Sequence, residues 1–268
     1  SIFPNTSPDL DALDLWMQKN YTAPYNIDVK YKMEDIESDM KYQLVPADSS
    51  KSAKIAILMK YLWFDAYSEV VGQNFVKANV PRIIHFIGSS AYNSNNTETV
   101  GTAEGGLKVT LYKINGIDES KIQTDAYYHR LNEYYFHTMH HEFTHILHQK
   151  IPYDTIFKLI SEANYRSNDW YLYSDETAQK SGFITSYAMS QPDDDFAETM
   201  STYVTSSKSE WESDLSTAGT SGAAIINQKL DIIRKYMSES WGLDIDQLRD
   251  VIQRRASEMK TLDLEHLN

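Results

Sequence analysis

His141-Glu142-Phe143-Thr144-His145 constrains this chain more than any other stretch. Two histidines four residues apart lie one above the other on a helix face. Such a pair can reach one zinc ion, with the glutamate between them aimed at a water held by that ion. The five-residue pattern alone arises by chance in many helices. Here Tyr135, Met139, Phe143, Ile146 and Leu147 surround it at helical spacing, so the motif falls on an amphipathic helix with a buried face. The plainer reading is a His-rich surface helix without metal. It loses weight because buried imidazoles without partners cost free energy.

The 268 residues suffice for one large domain or two small ones. No internal repeat or low-complexity linker divides them. The expectation is a single domain over 1–268, with a sheet-containing half over 1–120 and a helical catalytic half over 121–268. The net charge of −13, with no basic stripe, argues against a nucleic-acid groove. The absence of cysteine removes disulfides, thiolate zinc sites and thiol nucleophiles together. No apolar run is long enough to cross a bilayer; the best, 55–64, contains Lys60. The chain starts at Ser1 rather than Met, which leaves room for a removed signal peptide or lipid-bearing leader.

Apolar periodicity predicts a first helix over 8–20, beginning at Pro8 and Asp9, and a strand over 26–33. A long helix over 52–76 follows, then a strand over 81–87. Residues 91–106 read as a Ser/Asn/Thr/Gly-rich loop, long enough to suggest function. Residues 107–114 alternate as a strand. The motif helix spans about 125–149. Next come a short helix near 154–164, an irregular aromatic stretch over 168–181, and helices near 193–206, 221–240 and 244–260. Strands gather in the first half and helices in the second. The pattern is α+β, with a small mixed sheet over the motif helix.

Two histidines need a further protein ligand to make a catalytic zinc site. The HExxHxxGxxH pattern fails, because positions 148 and 151 hold His148 and Ile151. His137, His140 and His148 read as core or surface neighbours. Downstream, Pro192-Asp193-Asp194-Asp195 makes a good acidic helix start. That ordinary role does not require Asp194 and Glu198 to share a face, yet they are four apart and do. In a gluzincin-type site the first carboxylate of such a pair binds zinc, and the second accepts a hydrogen bond from a ligand imidazole.

His-Glu-Phe-Thr-His-Ile-Leu-His-Gln, Thr185-Ser186-Tyr187 and Asp194-Asp195-Phe196-Ala197-Glu198 together resemble a zincin family. Its members are zinc-binding metallopeptidase lipoproteins encoded beside outer-membrane nutrient importers, known as substrate import-associated zinc metallohydrolases. Residues 24–31 and 101–106 resemble the same family, so the likeness spans most of the chain. The second half is more distantly similar to the metalloprotease domain of anthrax lethal factor. The resemblance implies Zn2+ held by His141, His145 and Asp194, with Glu142 as general base and Tyr187 as an assisting phenol. It also implies an exported lipoprotein of the outer membrane or cell surface that meets importer components and a peptide or protein substrate. The family usually has glutamate where this chain has Asp194. Aspartate is one methylene shorter, which leaves Glu198 as the alternative ligand.

The expected activity is therefore zinc-dependent hydrolysis, most simply of peptides. The strand over 107–114 would be the edge that pairs with extended substrate, with Gly105-Gly106 allowing close approach. A different class of reading is a non-catalytic glycan- or peptide-binding component of an importer. Nineteen tyrosines and five tryptophans would suit sugar stacking, but Trp16 and Trp63 sit at core spacing. Glu142 favours catalysis, since a binding module has no use for a base. Proteolysis of a denatured protein with and without chelator separates the two.

Overall fold

Asp11 opens the first helix. Its carboxylate accepts from the Asp14 amide, and Asp14 reaches back to the Asp11 N–H, so two otherwise orphaned donors are satisfied reciprocally. The computed structural model describes residues 11–32, 44–92, 98–99, 101–104 and 108–267, with backbone alone over 91–104. The expected helix start at Pro8 and Asp9, and the Gly105-Gly106 pair, lie outside these residues. Helix α1 (Ala12–Met17) continues through a π-helical turn, Gln18–Thr22, into α2 (Ala23–Tyr25), past its expected end. Asn26, at φ 57°, ends it and turns the chain into β1 (Asp28–Lys30).

Asp48 caps α3 (Ser49–Met59), which runs through a second π turn, Lys60–Phe64, into α4 (Asp65–Val71). The single helix expected over 52–76 is broken at Gly72. Its φ of 103° lies where residues with a side chain rarely go, and α5 (Gln73–Asn79) starts afresh.

Strands β2 (Ile83–Phe86), β3 (Ala91–Tyr92), β4 (Glu98–Thr99), β5 (Gly101–Glu104) and β6 (Lys108–Leu111) follow. The main sheet has the order β1-β2-β6-β5. Its first three strands are parallel, and β5 is antiparallel to β6. The sheet is therefore mixed, as expected. Two expectations change. The segment read as a loop over 91–106 contains β5, and β5 rather than β6 is the edge. The register Gly101↔Leu111 to Glu104↔Lys108 comes from pairing with a later segment. Nothing in the local composition of 101–104 carries that signal.

Thr124 caps α6 (Asp125–Leu131), which passes through a third π turn, Asn132–Phe136, into α7 (His137–Lys150). A π turn takes up an extra residue and so shifts the phase of the downstream face. On the core side of α7, Phe143 meets Trp63 edge-on at 4.9 Å between ring centroids, and Tyr67 likewise at 4.9 Å. These rings are fully buried, each burial contributing about 1.5–3 kcal/mol. They anchor α7 by the residue next to Glu142.

Beyond α8 (Ile156–Ile160), the stretch read as irregular contains α9 (Asp175–Lys180), capped by Ser174. Helix α10 (Pro192–Thr205) packs along α7 and is buried on nearly every side, its acidic start included. Helix α11 (Lys208–Trp241) starts well before the expected 221, where Ser207 and Glu210 form a capping box, and kinks at Gly219. Helix α12 (Ile245–Glu258) closes over α10 and α4. One hydrophobic cluster runs from Leu13 to Leu264, and Trp16 and Trp63 belong to it. No helix of the described residues is long and apolar enough to cross a membrane.

Candidate metal centre

With Phe143 held in the core, His141 and His145 turn to the opposite side of α7, toward the first turn of α10. Their Nε2 atoms stand 3.0 Å apart. Asp194 Oδ1 lies 3.1 Å from His145 Nε2 and 3.4 Å from His141 Nε2. The other oxygen, Oδ2, accepts from Ser190 Oγ at 2.7 Å and Gln191 Nε2 at 3.0 Å. The carboxylate is thus held from behind, with Oδ1 presented to both imidazoles.

These three atoms suit zinc. Nitrogen and oxygen donors about 2.0–2.2 Å from one tetrahedral ion stand about 3.3–3.5 Å from each other. The observed separations come close to that triangle. Two imidazole nitrogens and a carboxylate oxygen are also the donor types zinc prefers. A second group, His137, His141 and Glu198, also brings potential ligand atoms together. It does not suit an ion. His137 Nε2 and His141 Nδ1 lie 2.6 and 2.8 Å from the same atom, Glu198 Oε2, which are hydrogen-bond distances.

Glu198 is a hub. Its Oε2 accepts from both imidazoles, and its Oε1 accepts from Thr185 Oγ1 at 2.8 Å. Thr185 Oγ1 in turn accepts from the Ala188 amide at 3.2 Å, which ties the turn carrying Tyr187 to the same carboxylate. On the other side, His145 Nδ1 is 2.8 Å from His148 Nε2. The Nδ1 atoms of both motif histidines are therefore engaged, which leaves both Nε2 atoms to face Asp194.

Burial opposes charge on His141, but hydrogen bonds to Asp194 and Glu198 win and raise it to about 10. Burial likewise works against charge on Asp194 and Glu198. The facing imidazoles, with Ser190 beside Asp194, nonetheless hold both carboxyls below the usual carboxylate range. Glu142 differs from both. It is half-buried and has no hydrogen bond or ion pair among the described residues. Burial pushes its carboxyl up, partly offset by His141 and His145. A free carboxyl with a raised pKa beside a metal-type donor set is equipped to take a proton. Tyr187 packs on His141, with 5.5 Å between centroids and 30° between planes, and Trp170 meets its outer side edge-on at 4.8 Å. Burial, then Asp194 and Glu142, push its phenol well above the ordinary value, so it keeps its proton.

The structure thus gathers His141, Glu142, His145, Tyr187, Asp194 and Glu198 at one place. His140 points into the core toward Tyr67, 3.2 Å away, and burial lowers it to about 3. His137 and His148 are more than neighbours, since each is within one hydrogen bond of a residue of the cluster. Their spacing from His141 and His145 was visible in the sequence, but the partner atoms were not. Thr185 enters the sequence likeness without a role, and Ser190 and Gln191 carry no sequence signal. Only the fold brings them to the two carboxylates.

Behind α10, Asp195 and Lys229 form an ion pair at 2.8 Å with both side chains fully buried. Lys229 also donates to the Gly182 carbonyl at 2.8 Å, and Tyr165 donates to Asp195 at 2.7 Å. This pair joins α11, the start of α10 and the segment leading to Thr185.

The family model described as "Putative zinc-binding metallo-peptidase" matches residues 7–246. A crystal structure of a putative zinc-binding metallo-peptidase from Bacteroides caccae ATCC 43185 is 45% identical, with 100% of each chain covered and a TM-score of 0.84. The comparison with curated proteins returned no match. The sheet and the helical second half agree with this relationship, and the chain belongs to the zinc-binding metallo-peptidase family.

Proposed function

We propose that the chain is a single-zinc peptidase of the HExxH, gluzincin-like kind. His141, His145 and Asp194 hold the metal. The observation that carries this reading is the triangle of their three ligand atoms, with Glu142 free beside it. Zinc bound there supplies Lewis acidity and activates water near neutral pH. Glu142 takes the proton of the attacking water on its carboxylate and passes it to the leaving amine. Tyr187 remains protonated and donates its hydroxyl to the developing oxyanion. Glu198 accepts from His141 Nδ1 and fixes the tautomer that leaves Nε2 free. The substrate in this reading is an extended peptide pairing with β5, whose backbone forms the edge of the sheet among the described residues, beside α7.

The test is cleavage of a peptide library by wild-type protein and Glu142→Gln. The wild type should cleave and be silenced by chelator. The variant should keep its zinc and lose about 10²-fold or more in kcat/KM. Equal activity in the two would remove Glu142 from the reaction. No cleavage by zinc-loaded wild type would favour the binding-module reading.

The proposed setting is the outer membrane or cell surface, as an exported lipoprotein serving nutrient uptake. Its support is the family resemblance in the sequence. Fractionation of native cells tests it, and recovery of the protein in the cytoplasm would overturn it.

A further inference from the structure

The two motif histidines are backed unequally. His141 Nδ1 faces a carboxylate oxygen, while His145 Nδ1 faces the imidazole of His148 at 2.8 Å. A metal-ligating histidine ordinarily gives its second N–H to a carboxylate, a backbone carbonyl or water. Among the described residues His145 Nδ1 meets neither a carboxylate nor a backbone carbonyl. For its Nε2 to offer a lone pair to a metal shared with Asp194, its Nδ1 must carry the proton. His148 Nε2 must then be bare, and His148 must carry its own proton on Nδ1. The tautomer of one imidazole dictates that of the other.

His148 is built into this position. It is buried, it meets His145 edge-on at 5.0 Å, and its ring is wedged edge-on against Tyr153 at 5.4 Å and Phe196 at 6.1 Å. Phe196 belongs to α10, two residues beyond Asp194. The same ring that accepts the hydrogen bond from His145 thus rests on the helix that carries Asp194.

We propose that His148 is a positioning residue for metal binding, a neutral imidazole acceptor that sets the tautomer and orientation of His145. This rests on the reading of His141, His145 and Asp194 as zinc ligands. Its consequence is an asymmetric centre, in which His141 is backed by an anion and His145 by a neutral group.

The test uses the full chain and zinc alone. Zinc affinity is measured by competition with a chromophoric chelator for wild type, His148→Phe, His148→Leu and His148→Gln. Phenylalanine keeps the ring and its packing but accepts no hydrogen bond, and glutamine returns an acceptor oxygen. Affinity should fall about 10- to 100-fold in the Phe and Leu variants, as losses of outer hydrogen-bond partners do. Most of it should return with Gln. A loss caused by packing alone would order the variants the other way, with Phe closest to wild type. The zinc-loaded wild type supplies a measurement that no variant's folding can spoil. Nitrogen NMR should find His148 protonated on Nδ1, with a scalar coupling across the N–H···N bond to His145. Protonation of His148 on Nε2, or a Phe variant that binds zinc as tightly as wild type, would overturn the proposal while leaving the zinc site intact. A wild-type chain that binds no zinc would overturn the zinc reading and the proposal with it.

Discussion

His141 Nδ1 lies 2.8 Å from Glu198 Oε2, and this one hydrogen bond separates the duties of the two acidic residues on α10. Glu198, one turn further along the helix, reaches the back of the imidazole. Asp194, the shorter side chain, sits at the front with Oδ1 toward both Nε2 atoms. Helix geometry makes this division natural, since the two carboxylates share a face but stand one turn apart.

Removing each carboxylate should therefore have unequal effects. Asp194→Ala should abolish tight zinc binding, because it deletes a donor atom. Glu198→Ala should weaken binding only about 10- to 100-fold, because His141 remains but loses its anchor. Chelator competition on the two purified variants measures both. The opposite ranking would make Glu198 the ligand and Asp194 its support.

Tyr187→Phe should leave zinc content and KM nearly unchanged and lower kcat by about 10²- to 10³-fold, the scale of losing one oxyanion donor. The phenol's raised pKa keeps it protonated well above neutral pH, so no alkaline loss of activity near pH 8–9 should trace to this group. Steady-state kinetics of the variant on a cleaved peptide tests the role. An unchanged kcat would return Tyr187 to simple packing against Trp170.

Lys229→Met should destabilise the protein by about 3–5 kcal/mol, the usual effect of breaking a buried pair and leaving one charge behind. Asp195 would keep Tyr165 and Thr199 as partners but lose its counter-ion. Adding Asp195→Asn to the same chain should recover much of the loss, because the stranded charge is then gone. Urea unfolding of the metal-free proteins is the measurement.

Asp246 gives a pH dependence away from the metal. Burial works against its charge, but Arg234 at 2.9 Å and the Tyr203 hydroxyl hold its carboxyl below the ordinary value. A depressed folded-state pKa means the unfolded chain binds the proton first, so stability rises with pH. The contribution should be complete above the unfolded carboxylate value of about 3.9 and fade as pH falls through the lower folded value. Thermal melts of wild type and Asp246→Asn should differ at pH 6 and converge toward pH 3. A gap that stays constant over that range would show that the ion pair adds nothing.

Much of this architecture is legible without coordinates, because local periodicity is a property of the chain itself. The four-residue spacing of His141 and His145, with apolar residues around them, is enough to place both imidazoles on one face of a partly buried helix. The acidic start at Pro192 and the four-residue spacing of Asp194 and Glu198 place two carboxylates on one face of another. Where a single residue or a long-range pairing decides, the sequence is mute. Gly72 ends a helix whose apolar pattern would continue, because φ at one position outweighs propensity on both sides. Strand β5 exists because β6 offers it backbone partners, and β6 thereby gives up the edge. The supports around the metal centre belong to the same class. His148 against His145, Thr185 against Glu198 and Ser190 against Asp194 are hydrogen bonds of 2.7–2.8 Å. A hydrogen bond fails within a few tenths of an ångström or some tens of degrees, and such precision arises only when packed helices set the distances. Sequence spacing determines which residues can share a face. The tertiary structure alone decides which of their atoms meet.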